Sequence, residues 1–109
     1  MKTHLLFLCS ANIDRSPAAE ALFKNSKKYE AKSAGLSDLT ENPVTSQAIK
    51  WADIIFVMNE SEEGHKSILL KKFPEAQHKD IRILNIPNDF CRYDKELERL
   101  LRIRLGEVV

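Results

Sequence analysis

The sequence predicts an α/β fold in which helices cover a parallel sheet of four strands. Four short apolar segments alternate along the chain with four segments of helical periodicity, and the connections between them are short. The chain has 109 residues, of which 43% are hydrophobic and 30% are charged, as is typical of a soluble domain with one core. We therefore treat residues 1–109 as a single domain.

Each predicted strand is a short run of bulky apolar residues. His4 to Leu8 is uninterrupted, which is typical of a strand buried on both faces. A weaker strand is expected from Tyr29 to Ser33. Asp53 to Met58 contains the clearest strand pattern of the chain, and Ile81 to Ile86 is the fourth predicted strand.

The helices are predicted from capping patterns. Ser16-Pro17 has the pattern of an N-cap followed by proline at the first helical position, and this helix is expected to reach about Lys27. Asn42-Pro43 repeats the pattern before the second helix. Asn59, with a glutamate three residues later, has the form of a capping box, and Asp94 is expected to cap the last helix.

The composition argues against several classes of function. A formal net charge of +1 gives no support for binding to nucleic acid or a membrane. Two cysteines, Cys9 and Cys91, are too few for a secreted disulfide framework, and the apolar run near the N-terminus is too short for a secretory leader. We therefore expect a cytoplasmic protein. We assign no metal, because the three histidines lack metal-ligand spacing, and we expect His65 on an exposed helix.

The segment from Cys9 to Arg15 carries the strongest functional signal. It joins a buried strand to a helix start, where backbone N–H groups lack intrahelical partners and carry partial positive charge. A curled loop at that place forms an anion site, and Arg15 adds a planar fork that can bind two phosphate oxygens. The same dipoles favour the thiolate of Cys9 over the thiol. The segment therefore predicts a thiolate nucleophile directed at a bound phosphoryl group.

The longer string Cys-x-x-Asn-x-x-Arg-Ser-Pro resembles the loop of the low-molecular-weight protein tyrosine phosphatase family. Further matches follow in the family's order: Ala-Glu at 19–20, Ser-Ala-Gly at 33–35, and Ala-Asp-Ile-Ile-Phe-Val-Met at 52–58 with a histidine downstream. The resemblance implies a three-layer sandwich with the strand order 2-1-3-4. It also implies hydrolysis of phosphate monoesters, with phosphotyrosine in proteins as the expected substrate, through a phospho-cysteine intermediate and without a cofactor.

The resemblance implies a role for each polar residue of the loop. Cys9 is the nucleophile, and Arg15 holds the phosphoryl oxygens and stabilises charge in the transition state. Asn12 braces the loop by side-chain hydrogen bonds, and Ser16 donates its hydroxyl to the thiolate as well as, or instead of, capping the helix. The implied phosphate-binding residues are Ser10, Ala11, Asn12, Ile13, Asp14, Arg15 and Ser16.

The chain departs from the family pattern in three places. The family's general acid is an Asp in an Asp-Pro-Tyr type loop, where this chain has Asn88; we expect Asp89 to be the acid, with Asp94 or neither residue as alternatives. Asp14 replaces a cysteine that the family often has, and its carboxylate disfavours a bound dianion unless it points outward. The chain is also shorter than typical members, which implies reduced pocket walls around residues 35–43.

Two alternatives to a phosphatase remain open. A thiol-dependent arsenate reductase shares the fold and loop, but it needs further cysteines, and Cys91 alone is available. A catalytically weak phosphate- or phosphopeptide-binding module is consistent with Asn88. The expected partner is a phosphorylated protein or a small-molecule phosphate monoester, bound by a monomer. Phe90 or Tyr93 is expected either to stack on an aromatic substrate or to pack in the core.

Overall fold

The computed structural model describes residues 2–106 and contains the predicted parallel sheet. Numbered along the chain, its strands lie in the order 2-1-3-4, and every pairing is parallel, so the predicted fold class and strand order are confirmed. The last strand ends three residues before the predicted Ile86. The strands are β1 (Thr3–Cys9), β2 (Tyr29–Gly35), β3 (Ile54–Val57) and β4 (Asp80–Ile83).

Helices lie on both faces of the sheet. Leu5, Phe7 and Cys9 face the core that the first and last helices close, whereas Leu6 and Leu8 face the core that the second and third helices close. This explains the uninterrupted apolar run, because a central strand of a covered sheet has no solvent-facing side. No helix within residues 2–106 is long and apolar enough to cross a membrane. The helices are α1 (Arg15–Ala21), α2 (Ser46–Trp51), α3 (His65–Lys72) and α4 (Lys95–Leu105), with a 3₁₀ helix at Pro74–His78.

The predicted limits of the first helix are wrong. Helix α1 ends at Ala21, and turns rather than helix follow toward Lys27. Ser16 lies inside the helix, and Asp14 takes the N-cap position without a side-chain cap hydrogen bond. Ser16 does not cap the helix, because its hydroxyl contacts the sulfur of Cys9 instead of the helix backbone.

Two further caps lie elsewhere than predicted, and one is confirmed. Helix α2 is capped by Thr45 instead of Asn42. Asn59 accepts the N–H groups of residues 62 and 63, so it caps a turn, and α3 begins only at His65. Asp94 caps α4 as predicted, because its Oδ1 accepts the N–H of residue 96 at 2.9 Å.

Candidate active site

Residues 9–15, which we call the phosphate loop after the ligand expected from the sequence, leave the carboxyl end of β1, the edge where ligands bind in parallel α/β sheets. Asn12 has a φ of 58°, a left-handed conformation that asparagine tolerates better than most residues. The backbone N–H groups of residues 11–15 donate no hydrogen bond to any acceptor in the described part of the chain. The loop therefore presents a row of free amide donors, which can bind an anion.

The sulfur of Cys9 lies at the end of a chain of neutral hydrogen bonds. Asn42 Nδ2 donates to Asn12 Oδ1 at 2.9 Å, and Asn12 Nδ2 donates to Ser16 Oγ at 2.8 Å. Because an amide nitrogen can only donate, the hydroxyl hydrogen of Ser16 is left for Cys9 Sγ, 2.9 Å away. We call Asn42, Asn12, Ser16 and Cys9 the neutral relay. Its direction suits a thiolate, which accepts that hydrogen.

The guanidinium of Arg15 is held by a carboxylate and a carbonyl group. Nη1 and Nη2 donate to Oε2 and Oε1 of Glu63 at 2.5 and 2.7 Å. Nη1 also donates to the carbonyl oxygen of Ile86 at 2.9 Å. The Arg15 side chain is 3% exposed and that of Glu63 is 18% exposed. Glu63 thus supplies the countercharge that a buried guanidinium requires.

Glu63 is itself joined to Ser10 and His65. The N–H of Asn59 donates to His65 Nδ1 at 3.0 Å, so His65 Nε2 carries the proton and donates to Ser10 Oγ at 2.9 Å. The Ser10 hydroxyl then donates to Glu63 Oε1 at 3.3 Å. We call His65, Ser10, Glu63 and Arg15 the charged relay.

The protonation states of the charged relay follow from its surroundings. Burial lowers the pKa of His65, and this outweighs the opposite effect of the nearby Glu63 carboxylate. Hydrogen bonding to Arg15 lowers the pKa of Glu63 despite its partial burial. The relay therefore combines a neutral imidazole, an ionised carboxylate and a guanidinium cation.

The site contains residues that the sequence reasoning missed. The expectation that His65 is exposed is wrong, because the first turn of α3 packs it against Ser10 with its side chain fully buried. Glu63 and Asn42 were not foreseen as site residues. The acidic stretch before α3 could have drawn attention to Glu63, but nothing local connects it to Arg15.

No group of three or more His, Cys, Asp or Glu within residues 2–106 could hold a metal ion.

The candidate acid Asp89 lies exposed on the loop that connects β4 to α4. This loop is attached to the phosphate loop at two points. The carbonyl of Ile86 accepts from the guanidinium, and the N–H of Arg92 donates to Asp14 Oδ1 at 2.9 Å. The Asp14 carboxylate is thus engaged by the connecting loop. The exposed thiol of Cys91 lies on the same loop.

The segment after β2 forms one wall of the site. Thr40 Oγ1 donates to the carbonyl of Ala11 at 2.5 Å, which holds the segment against the phosphate loop. A groove of about 480 Å³ runs between them. Ile13 and Leu39 line this groove and are 63% and 94% exposed.

Comparison with known proteins gives matches of sequence and of fold. Residues 4–53 match the model of the low molecular weight phosphotyrosine protein phosphatase family. A protein-arginine-phosphatase of Geobacillus stearothermophilus is 29% identical to this chain in a match that covers 72% of this chain and 68% of that protein.

Two solved structures illustrate the likeness of fold. The YwlE arginine phosphatase from Geobacillus stearothermophilus superposes with a TM-score of 0.71 at 25% identity, covering 97% of this chain and 92% of that one. The low molecular weight protein tyrosine phosphatase SP-PTP from Streptococcus pyogenes has a TM-score of 0.75 at 19% identity, covering 100% of this chain and 94% of that one, and shows the shared fold alone. The chain is thus similar to the low molecular weight phosphotyrosine protein phosphatase family in the sequence of residues 4–53, and it shares the fold of these two phosphatases over almost its whole length.

Proposed function

We propose that this chain hydrolyses phosphate monoesters through a phospho-cysteine at Cys9, with Arg15 and the free amides of the phosphate loop binding the phosphoryl oxygens. The observation that carries the proposal is the hydrogen bond between Ser16 and Cys9 Sγ, made from the helix that begins with Arg15. A hydroxyl donor stabilises a thiolate more than a thiol. Nucleophile and phosphoryl-binding groups therefore belong to one rigid segment.

The reaction consists of two displacements at phosphorus. The thiolate of Cys9 attacks, an S–P bond forms, and the P–O bond to the leaving group breaks while a general acid protonates the leaving oxygen. Water then attacks phosphorus and breaks the S–P bond, which returns the thiolate and releases inorganic phosphate. The carboxylate left by the acid accepts the proton of that water.

Asp89 is our proposed general acid. Asp94 is committed to the N-cap of α4, where its carboxylate accepts a backbone N–H. Glu63 is unsuited to donate a proton, because Arg15 keeps its pKa low and its carboxylate ionised. Asp89 is exposed on the connecting loop, which is hydrogen-bonded to the phosphate loop on either side of it.

Phosphotyrosine in proteins is our proposed substrate. The exposed apolar surface of Ile13 and Leu39 lies along the phosphate loop and favours an aromatic ring over a charged guanidinium. Phe90 packs against the core, and Tyr93 lines a separate groove beside α1 and α4, so we assign neither to substrate stacking. Phosphoarginine is the second candidate, favoured by the name of the protein-arginine-phosphatase to which this chain is similar.

Turnover of p-nitrophenyl phosphate tests the mechanism. We expect no turnover of p-nitrophenyl phosphate with Cys9→Ser. With Asp89→Ala we expect a loss of roughly 10²- to 10⁴-fold in kcat on a phosphotyrosine peptide, whose leaving group is poorer. Asp94→Asn is the matched control, because asparagine caps a helix equally well and should leave kcat unchanged. Phosphate release from phosphotyrosine and phosphoarginine peptides then separates the two substrates.

Other outcomes would contradict this proposal. Phosphate binding without turnover would identify a binding module. Arsenate reduction that requires both Cys9 and Cys91 would identify a reductase. An unchanged kcat of Asp89→Ala on a phosphotyrosine peptide would leave Cys9 as the nucleophile and would show that Asp89 is not the general acid.

A further inference from the structure

We propose that Glu63 is a positioning residue for Arg15, whose carboxylate holds one edge of the guanidinium so that the other edge faces the phosphoryl group. The proposal rests on the proposed function of the phosphate loop and adds a component that no residue of the loop supplies. It concerns a contact between residues 48 positions apart in the chain.

The hydrogen-bond donors of Arg15 divide into two sets. A guanidinium has five N–H donors in a fixed plane. Nη1 uses both of its hydrogens, one for Glu63 Oε2 and one for the carbonyl of Ile86, and Nη2 uses one for Glu63 Oε1. The hydrogen of Nε and the second hydrogen of Nη2 remain. These two lie side by side on one edge, which is a fork suited to two oxygens of a phosphoryl group.

Glu63 is fixed by hydrogen bonds on the side away from Arg15. It is therefore part of the site and not a mobile anion that has entered it. Its Oε1 accepts the hydroxyl of Ser10, and the buried His65 holds Ser10 in turn. Its backbone N–H donates to the side chain of Asn59, which fixes the turn that carries it. A guanidinium clamped on its end by a fixed carboxylate keeps its side edge in one orientation before substrate arrives, which reduces the reorganisation needed at the reaction step.

Charge and orientation predict opposite effects of removing this carboxylate. Loss of a negative charge near the site would by itself tighten binding of a phosphate dianion. Loss of the clamp would let the guanidinium turn away and would weaken that binding. The sign of the change in affinity therefore distinguishes a positioning residue from a competing anion.

The experiment compares Glu63→Gln with Glu62→Gln. The second variant removes the same charge from an exposed neighbour on the same turn that has no contact with Arg15. We expect Glu63→Gln to lower kcat for p-nitrophenyl phosphate by about 10- to 10²-fold and to raise the Kd of inorganic phosphate several-fold. Glu62→Gln should leave kcat unchanged and should not weaken phosphate binding. The proposal is overturned if Glu63→Gln tightens phosphate binding or raises kcat/KM, or if it lowers the melting temperature alone.

Two additions make the result decisive. Glu63→Asp keeps a charge beside the buried guanidinium and remains available if the glutamine variant does not fold; we expect a smaller loss of kcat, because the carboxylate is one methylene shorter. In the Arg15→Lys variant, adding Glu63→Gln should lower kcat little further, since its effect acts through Arg15. The proposal would be contradicted if the double variant lost kcat by the full product of the two single losses. If the parent shows no turnover, the proposed function fails, and the phosphate affinities still test the orientation of Arg15.

Discussion

Two hydrogen-bonded relays hold opposite ends of the phosphate loop, and they are built differently. The neutral relay ends at the sulfur of Cys9 and joins Asn12 and Ser16, which lie within eight consecutive residues. The charged relay ends at the guanidinium of Arg15 and joins it to Glu63, 48 positions away. The proposed nucleophile is thus held mainly by neighbouring residues, with Asn42 as the one more distant member, whereas the proposed phosphoryl-binding cation is held by a distant turn.

The difference in charge gives the two relays different sensitivities. The hydrogen bonds of the neutral relay join uncharged amide and hydroxyl groups, and their strength depends on short distances. The charged relay depends on a carboxylate, an imidazole and a guanidinium that must each hold one protonation state. Substitutions in the neutral relay should therefore change reactivity, and substitutions in the charged relay should also change the response to pH.

Replacing the fork of the charged relay should have the largest effect. Arg15→Lys keeps the positive charge but removes the planar pair of donors, and we expect kcat to fall by about 10³-fold, as for loss of a transition-state donor. The measurement is kcat for p-nitrophenyl phosphate. The matched control is Arg82→Lys, because Arg82 makes a similar two-point contact with Asp80 on the exposed surface. A loss below tenfold at Arg15 would show that the fork does not bind the phosphoryl oxygens.

Shortening the neutral relay should have the next largest effect. Ser16→Ala removes the hydroxyl that lies 2.9 Å from Cys9 Sγ. A hydrogen bond to a charged group contributes roughly 1.5–3 kcal/mol, so kcat should fall by about 10- to 10²-fold. Asn42 lies two hydrogen bonds further from the sulfur than Ser16, so Asn42→Ala should lower kcat only a few-fold. Equal losses in the two variants would contradict the direction assigned to the relay.

The different sequence separations within the two relays also explain which parts of the site could be predicted from the sequence. The strands follow from local apolar runs, whereas their order and the proposed roles of Cys9, Asn12 and Ser16 are implied by the family resemblance of a motif of neighbouring residues. Glu63 and His65 could not be placed, because their contacts join segments that only the folded sheet brings together. The role of Asp89 stays a prediction.

The errors in helix capping have a related cause. Ser16, Asn42 and Asn59 all have the right chemistry for an N-cap, and each uses its side chain for the phosphate loop or its supporting turn instead. Asp94 and Thr45 cap helices and make no contact with the relays. A capping pattern therefore identifies a side chain that seeks local backbone or loop partners, and it does not identify which partner the fold supplies.

Gly35 offers a test of how closely β2 must approach the neutral relay's loop. A Cβ at this position would lie 2.9 Å from the carbonyl oxygen of Ser10 and 2.8 Å from Cγ2 of Thr40. We expect Gly35→Ala to lower the free energy of unfolding in urea by about 1–3 kcal/mol, as for overpacking of a core. Adding Thr40→Ser removes only the methyl contact and should recover little, because the Ser10 backbone is held by the N–H of residue 37. Full recovery would show that the backbone contact is unimportant.

The smallest predicted effect is the pH dependence that His65 confers on stability. Burial lowers the pKa of His65 below its ordinary value of 6.5, so the unfolded chain binds the proton more tightly than the folded one. Its contribution to stability is therefore complete above about pH 6.5 and is lost as pH falls through the lower pKa of the folded state, at up to about 1.4 kcal/mol per pH unit. The mechanism is local, because the N–H of Asn59 points at Nδ1 and leaves no room for a second hydrogen there. Urea unfolding at pH 7.5, 6.5 and 5.5 should show this slope in the parent and in His78→Asn, which alters an exposed histidine, and a shallower slope in His65→Asn. If His65→Asn retains the full slope, another group is responsible and the imidazole of the charged relay is not held neutral by burial.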